Sequence, residues 1–257
     1  MFALIALMLA AADAPRSIPV RLEDPATITV RFKTVKDEVH HNSFMEGAPP
    51  RETHSEKQHD FCVVVRRADL GFLADWRPLD EASGGCPAEP GYVLRTDAAL
   101  APSAFENWLS VRQEVLASSE LTPGARAFFA EMDPEAAMRA LVEPAFLLAL
   151  GQGAGIPPTP EAAISWSEPV EFRMEAPGQG AVRRRLERLD ASGAIVSWSL
   201  TAAAVGEVRR DFCRYHIDLA TGLAKSMHCR LETELSIDGE VFKRETRLID
   251  LTQTLSQ

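Results

Sequence analysis

Residues 213–217 and 227–231 alternate so strictly between apolar and polar that they leave little choice of chain geometry. Cys213, Tyr215, Ile217, Leu223, Met227, Cys229, Leu231 and Leu235 fall at odd positions, and Arg214, His216, Asp218, Ser226, His228 and Arg230 at even ones. A period of two belongs to a strand with one buried face, and a slip of one residue would turn a whole arm to the wrong side. The stretch therefore reads as a hairpin turning at "DLATGL". A three-residue loop, Ala220-Thr221-Gly222, with Gly222 in the left-handed region, keeps the odd positions together and sets Cys213 opposite Cys229. A four-residue loop would part them. Facing Cα atoms about 4.5–5.5 Å apart lie within the range a disulfide accepts. His216 and His228 point to the other face as diagonal neighbours, so they cannot join the cysteines around a tetrahedral zinc ion. Arg214 and Arg230 beside them repel a cation, which leaves the two histidines as solvated surface groups.

Other segments share the strand period. "ATITVRFKTV" at 26–35 places Ile28, Val30 and Phe32 on one side, and "FCVVV" at 61–65 and "GYVLRT" at 91–96 follow it. The polar segment from Lys36 to Asp60 reads as a long mobile loop between the first two strands. It holds His40, His41, His54 and His59, whose spacing matches no metal framework. From Ser103 the period changes: a capping box of Ser103 and Glu106, followed by apolar residues at helical spacing, predicts a helix of about four turns. Thr122-Pro123 and Asp133-Pro134 mark two more helix starts, the last helix kinking at Pro144 and stopping at Gly151. "AFLLAL" at 145–150 is apolar nearly all round, so it is buried as core or lines a pocket for an acyl chain. Strand signals then return over 164–252, with turns at Asp190 to Gly193 and at Asp238-Gly239. Strands over 26–96, a helical block over 103–150 and a late β-meander predict one α+β domain, residues 15–257. Its large curved antiparallel sheet, half-barrel-like, packs against the interposed helical block.

The first fourteen residues, "MFALIALMLAAADA", are apolar from Phe2 to Ala12 and end in a small-x-small pattern, which predicts a secretory signal over 1–14 and a periplasmic or secreted protein. That run is too short to span a bilayer, and no other window reaches the length. In an oxidising compartment the Cys213–Cys229 pair would persist as a disulfide. By elimination Cys62 and Cys86 form the second bridge, although four cysteines allow three connectivities. A formal net charge of -10 disfavours a nucleic-acid partner.

Neither G-x-S-x-G nor S-x-x-K beside a base occurs, and "GQGAGIPPTP" ends a helix where a phosphate cradle must open one. "RRR" at 183–185 is a solvated strand face, and the helical carboxylates Glu106, Glu114, Glu131 and Glu135 form no acid–base pair. These readings name no catalytic residue, no metal ligand and no cofactor, and leave ligand-binding residues unassigned.

"VLRTDAALAPSAFENWLSV" at 93–111, "LERLDASGAIVSW" at 186–198 and "IDLATGLAKS" at 217–226 resemble a loosely defined group of uncharacterised exported proteobacterial proteins without a known activity. Where related sequences prefer Gly after the TDAA turn, this chain has Leu100. The order of elements is also similar, by analogy alone, to that of periplasmic lipoprotein carriers with a half-open barrel and a helical lid. The expectation is a non-enzymatic envelope protein that binds a lipid or other apolar ligand, or an envelope protein partner, between sheet and helices. The alternatives are a hydrolase with an unrecognised site, or a purely structural or assembly protein.

Overall fold

The computed structural model describes residues 20–41, 49–79, 86–88, 91–141, 165–173, 177–191 and 193–256. The predicted signal, "AFLLAL", the Pro144 kink and the Gly151 stop lie outside the described residues. The chain forms β1 (Ala26–His40), β2 (Arg51–Ala68), β3 (Gly71–Pro78), β4 (Tyr92–Thr96) and β5 (Pro102–Phe105). Among the described residues three short helices follow, α1 (Trp108–Ala117), α2 (Pro123–Glu131) and α3 (Pro134–Leu141). Then come β6 (Ser165–Arg173), β7 (Pro177–Asp190), β8 (Gly193–Ala204), β9 (Glu207–Ile217), β10 (Ala224–Ile237) and β11 (Glu240–Ser256).

All eleven strands join one antiparallel sheet in the order β5-β4-β3-β2-β1-β11-β10-β9-β8-β7-β6. Its two halves are meanders sewn together at the centre, where β1 pairs β11 from Thr27↔Ser256 to His40↔Lys243. The strands adjacent to the helices in sequence, β5 and β6, stand at opposite edges, so the sheet is open. One face carries the core: Ile28, Val30, Phe32, Val63, Val65, Trp76, Leu94, Val196, Trp198, Leu200, Tyr215, Met227, Ile249 and Leu251 are all buried. This face is called inward below. Phe105 and Trp108 meet on it with ring centroids 5.5 Å apart, which fixes α1 to the inward side.

The local signals differ in how well they survive. Thr122 caps α2, its Oγ1 accepting from Ala125 N at 3.2 Å, and Asp133 caps α3 by accepting from Ala136 N at 2.7 Å. Asp238 and Gly239, at φ 52° and 84°, form the two-residue hairpin between β10 and β11. Leu100 takes φ 62° at its turn, with Asp97 Oδ1 accepting from the amides of Ala99 and Ala101.

Two expectations are corrected. The Ser103–Glu106 capping box does not form: Ser103 belongs to β5 and donates to the Arg95 carbonyl, Glu106 pairs with Arg95 at 2.5 Å, and α1 begins at Trp108. Pairing with β4 claims these side chains before a helix can. The helical block accordingly starts five residues later than predicted and is small. The loop expected over Lys36 to Asp60 is largely strand, since β1 runs on to His40 and β2 starts at Arg51, in register from His40↔Arg51 to Ala26↔Val65. The extension carries no apolar stripe because it projects into water. It is held by its ladder and by cross-strand pairs such as Lys33–Glu56 at 2.7 Å and Arg31–Asp60 at 2.9 Å.

Candidate functional site

The hairpin of 211–235 combines both loops considered for it. Asp218 N donates to Leu223 O at 2.8 Å and Gly222, at φ 73°, donates to Asp218 O at 2.7 Å, so four residues turn where three were expected. An irregularity between Ala224 and Ser226 then restores the parity, and Cys213 faces Cys229. The bulge reconciles a four-residue turn with an unbroken apolar face. Cys213 and Cys229 are bonded, Cα atoms 4.1 Å apart, and Cys62 is bonded to Cys86, Cα atoms 5.4 Å apart.

His216 and His228 lie on the outward face as diagonal neighbours, beside an open depression of about 390 Å³ that Ile195, Arg214, Ser226, Asp250 and Thr252 also line. His228 Nδ1 is 2.6 Å from Asp250 Oδ1, both side chains being more than half exposed. Gly193 lies under His216, where an added Cβ would sit 3.0 Å from Nε2 and 2.5 Å from Ile217 O. Ser226, on the same face, makes no hydrogen bond to either histidine among the described residues. No group of three or more His, Cys, Asp or Glu among the described residues could hold a metal ion. Of the four histidines in the expected loop, His40, His54 and His59 are on strands, and His54 pairs with Asp37 at 2.6 Å.

The inward face is graded from one end to the other. Reading across β8, β9, β10, β11 and β1, one row is Val196, Tyr215, Met227, Leu251 and Phe32, and the next is Trp198, Cys213, Cys229, Ile249 and Thr34. Below them come Leu200, Asp211, Leu231, Arg247 and Lys36, then Ala202, Arg209, Thr233, Glu245 and Glu38. Asp211 marks the boundary between apolar core and polar extension. It is 3% exposed and its Oδ2 accepts from Arg209 Nε at 2.7 Å. Burial raises its pKa, against the opposing pull of the Arg209 charge and hydrogen bond, the Glu232 amide and the Arg247 charge. Oδ1 is buried without a hydrogen bond, and so is the indole Nε1 of Trp198. Burial also pushes the Tyr215 phenol up. Asp211 escaped the sequence reading although its odd number, shared with Cys213 and Tyr215, already places an acid on the apolar face.

At the far end of the gradient, Glu38 and Glu245 face each other directly, a repulsive pair in isolation. Lys36 and Lys243 resolve it: each ammonium touches both carboxylates, at 3.0 and 3.2 Å for Lys36 and 2.8 and 3.2 Å for Lys243. Hydrogen bonds from Lys243 and then Lys36 hold Glu38 at about 2. A carboxylate with a depressed pKa adds stability above its unfolded value, and that stability is lost as pH falls through the folded one. Glu38→Gln is therefore expected to lower stability by about 1 kcal/mol or less at pH 7, as befits a largely solvated network. The deficit should vanish as pH falls toward 2, and urea titrations at pH 7 and near 2 check both arms.

No family model matches the sequence, and no curated protein matches it. Among solved structures the chain is similar to one described as lipid-protein interactions in lipovitellin, at 8% identity and a TM-score of 0.46. The match covers 92% of this chain and 26% of that one, so this chain spans about a quarter of the other's length.

Proposed function

We propose that this is an exported, non-enzymatic envelope protein that holds an apolar ligand between the inward face of its sheet and its helices. The observation that carries the reading is the placement of β5 and β6 at opposite edges of an eleven-stranded sheet. Laid flat, ten inter-strand gaps of about 4.8 Å would put those edges roughly 48 Å apart. A strongly twisted sheet of this size curls, and curling toward the apolar side would give a half-barrel around the inward face. Helices α1 and α3 touch β4 and β5 at one lip. The single α+β unit is residues 15–257, after a signal over 1–14. Two disulfides favour an oxidising compartment, periplasmic or extracellular, and no described helix is long and apolar enough to cross a membrane.

The hydrolase alternative draws support from His228–Asp250 in its depression, but Ser226 does not engage it. Native mass spectrometry of protein purified from its own host's envelope, before and after denaturation, tests the binding reading. A mass that drops on denaturation by the mass of a lipid-like molecule is the expected result. One unchanged mass, together with no uptake of added apolar probes, would overturn it.

A further inference from the structure

We infer that the outward face of β7, β8 and β9 docks on an anionic lipid surface, with Phe212 as its apolar anchor and Arg183, Arg185 and Arg210 as its phosphate contacts. Of the three arginines at 183–185, Arg184 lies across from Trp198 on the inward side, and Arg183 and Arg185 turn outward by the strand period. Ser199 of β8 lies directly across from Arg183 on one side and from Phe212 on the other. Ser197 links Arg185 to Arg214 in the same way, and Arg210 stands two residues from Phe212 along β9. Small hydroxyl residues on β8 thus separate guanidinium groups on β7 and β9. Phe212 is 43% exposed, on a strand whose other face is core. Arg183, Arg185 and Arg210 are exposed and form no ion pair among the described residues. The acids nearest them are already engaged. Glu187 accepts from Arg214 Nε at 2.8 Å, and Glu232, directly across from Arg210, accepts from Arg230 Nε at 2.6 Å. Five guanidinium groups against two carboxylates leave a surplus of three positive charges around the ring.

The make-up of the patch selects the partner. The formal charge of -10 on the whole chain repels any anionic surface at long range. At physiological salt, however, charges more than about 8 Å away are largely screened, so close contact is decided by the local surplus. A stable protein interface has an apolar core depleted of charge and buries about 800 Å² on each side. Here a single phenyl ring stands among guanidinium groups, the reverse of that pattern. A lipid surface suits it: the ring enters the boundary between headgroups and acyl chains, the arginine stems lie along it, and the guanidinium groups bond phosphate oxygens. A nucleic-acid strand also uses rings and cations. The two disulfides, however, favour an oxidising compartment, one bounded by lipid and poor in nucleic acid.

Flotation of the full-length protein with vesicles tests the surface. Vesicles of phosphatidylglycerol and phosphatidylcholine in equal parts should bind it at about 0.05 M salt, and phosphatidylcholine alone about tenfold less or weaker still. Raising the salt to about 0.5 M should remove the difference. Arg183→Gln, Arg185→Gln and Arg210→Gln should each weaken binding about fivefold, and Phe212→Ala about five- to tenfold. All four side chains are exposed, so the fold should stand without them, which matching urea midpoints check. Lys57→Gln removes an exposed cation of β2 from the opposite face, across from Thr34, and should leave binding unchanged. Equal binding to both kinds of vesicle, binding to neither, or an unaltered affinity in the arginine variants or in Phe212→Ala would overturn the docking surface. So would a loss in Lys57→Gln as large as theirs, or tighter binding of a single-stranded oligonucleotide than of the vesicles. None of these outcomes bears on the ligand of the inward face, which native mass spectrometry tests separately.

Discussion

Trp108→Ala is expected to destabilise the protein by about 3–5 kcal/mol, the range for removing a large aromatic side chain from a packed core. Trp108 is 2% exposed, and only it and Val111 are buried on α1. Its ring meets Phe105 of β5, and its Nε1 donates to the Met132 carbonyl at 3.2 Å, in the link between α2 and α3. One side chain thus fastens the first helix to the sheet lip and to the next helices. No side chain caps the N-terminus of α1, since Asn107 spends its amide beside β4, accepting from Val93 N and donating to Gly91 O. With the indole gone, neither an N-terminal cap nor a broad apolar stripe holds the helix on the sheet; Arg126, donating to the Leu116 and Ser118 carbonyls, ties its end only to α2. Trp108→Phe, which keeps most of the contact and orphans one carbonyl, should cost about 1–3 kcal/mol. Urea unfolding of the three proteins measures both steps, and a loss below about 1 kcal/mol for the alanine variant would show that the helices are held by other contacts.

Removing the Cys213–Cys229 bond by the double change to alanine should cost about 3 kcal/mol, because the bond closes a loop of sequence separation 16 and restricts the unfolded chain accordingly. For a chain of this size that is a fall in Tm of about 6–12 °C by calorimetry. The two bridges should also part under mild reductant. Cys213 and Cys229 are both 0% exposed, whereas Cys86 is an exposed residue. Thiol labelling of folded protein after brief dithiothreitol should mark Cys62 and Cys86 first and leave the buried pair until the sheet opens. Labelling of Cys213 and Cys229 at the same rate would mean that the centre of the sheet opens readily.

Which side of β9 and β10 is buried was legible residue by residue, because side-chain direction on a strand follows position number alone. The odd positions of β9 and β10 carry the core, Asp238-Gly239 turns the last hairpin, and Thr122 and Asp133 cap the helices their prolines announce. All are interactions within a few residues, or consequences of a period. The candidate site was legible in half. Cys213 and Tyr215 were placed on the inner face, but Asp211 was noticed only once its burial and its pairing with Arg209 were visible.

The strand order was beyond reach of the sequence. Period two says which face a residue takes and nothing about the strand beside it, so the pairing of β1 with β11, and with it the exile of β5 and β6 to opposite edges, is a property of the assembled sheet. The polar halves of β1 and β2 were misread for a related reason. Their stability comes from a ladder extended from an apolar root and from charges such as Lys33 and Glu56 that meet only across strands, and no stretch of either strand announces its partner. Local residues determined the faces of the strands they announced and the turn at Asp238-Gly239; tertiary pairing decided the neighbours, the open sheet, and the gradient from apolar core to polar extension along its inward face.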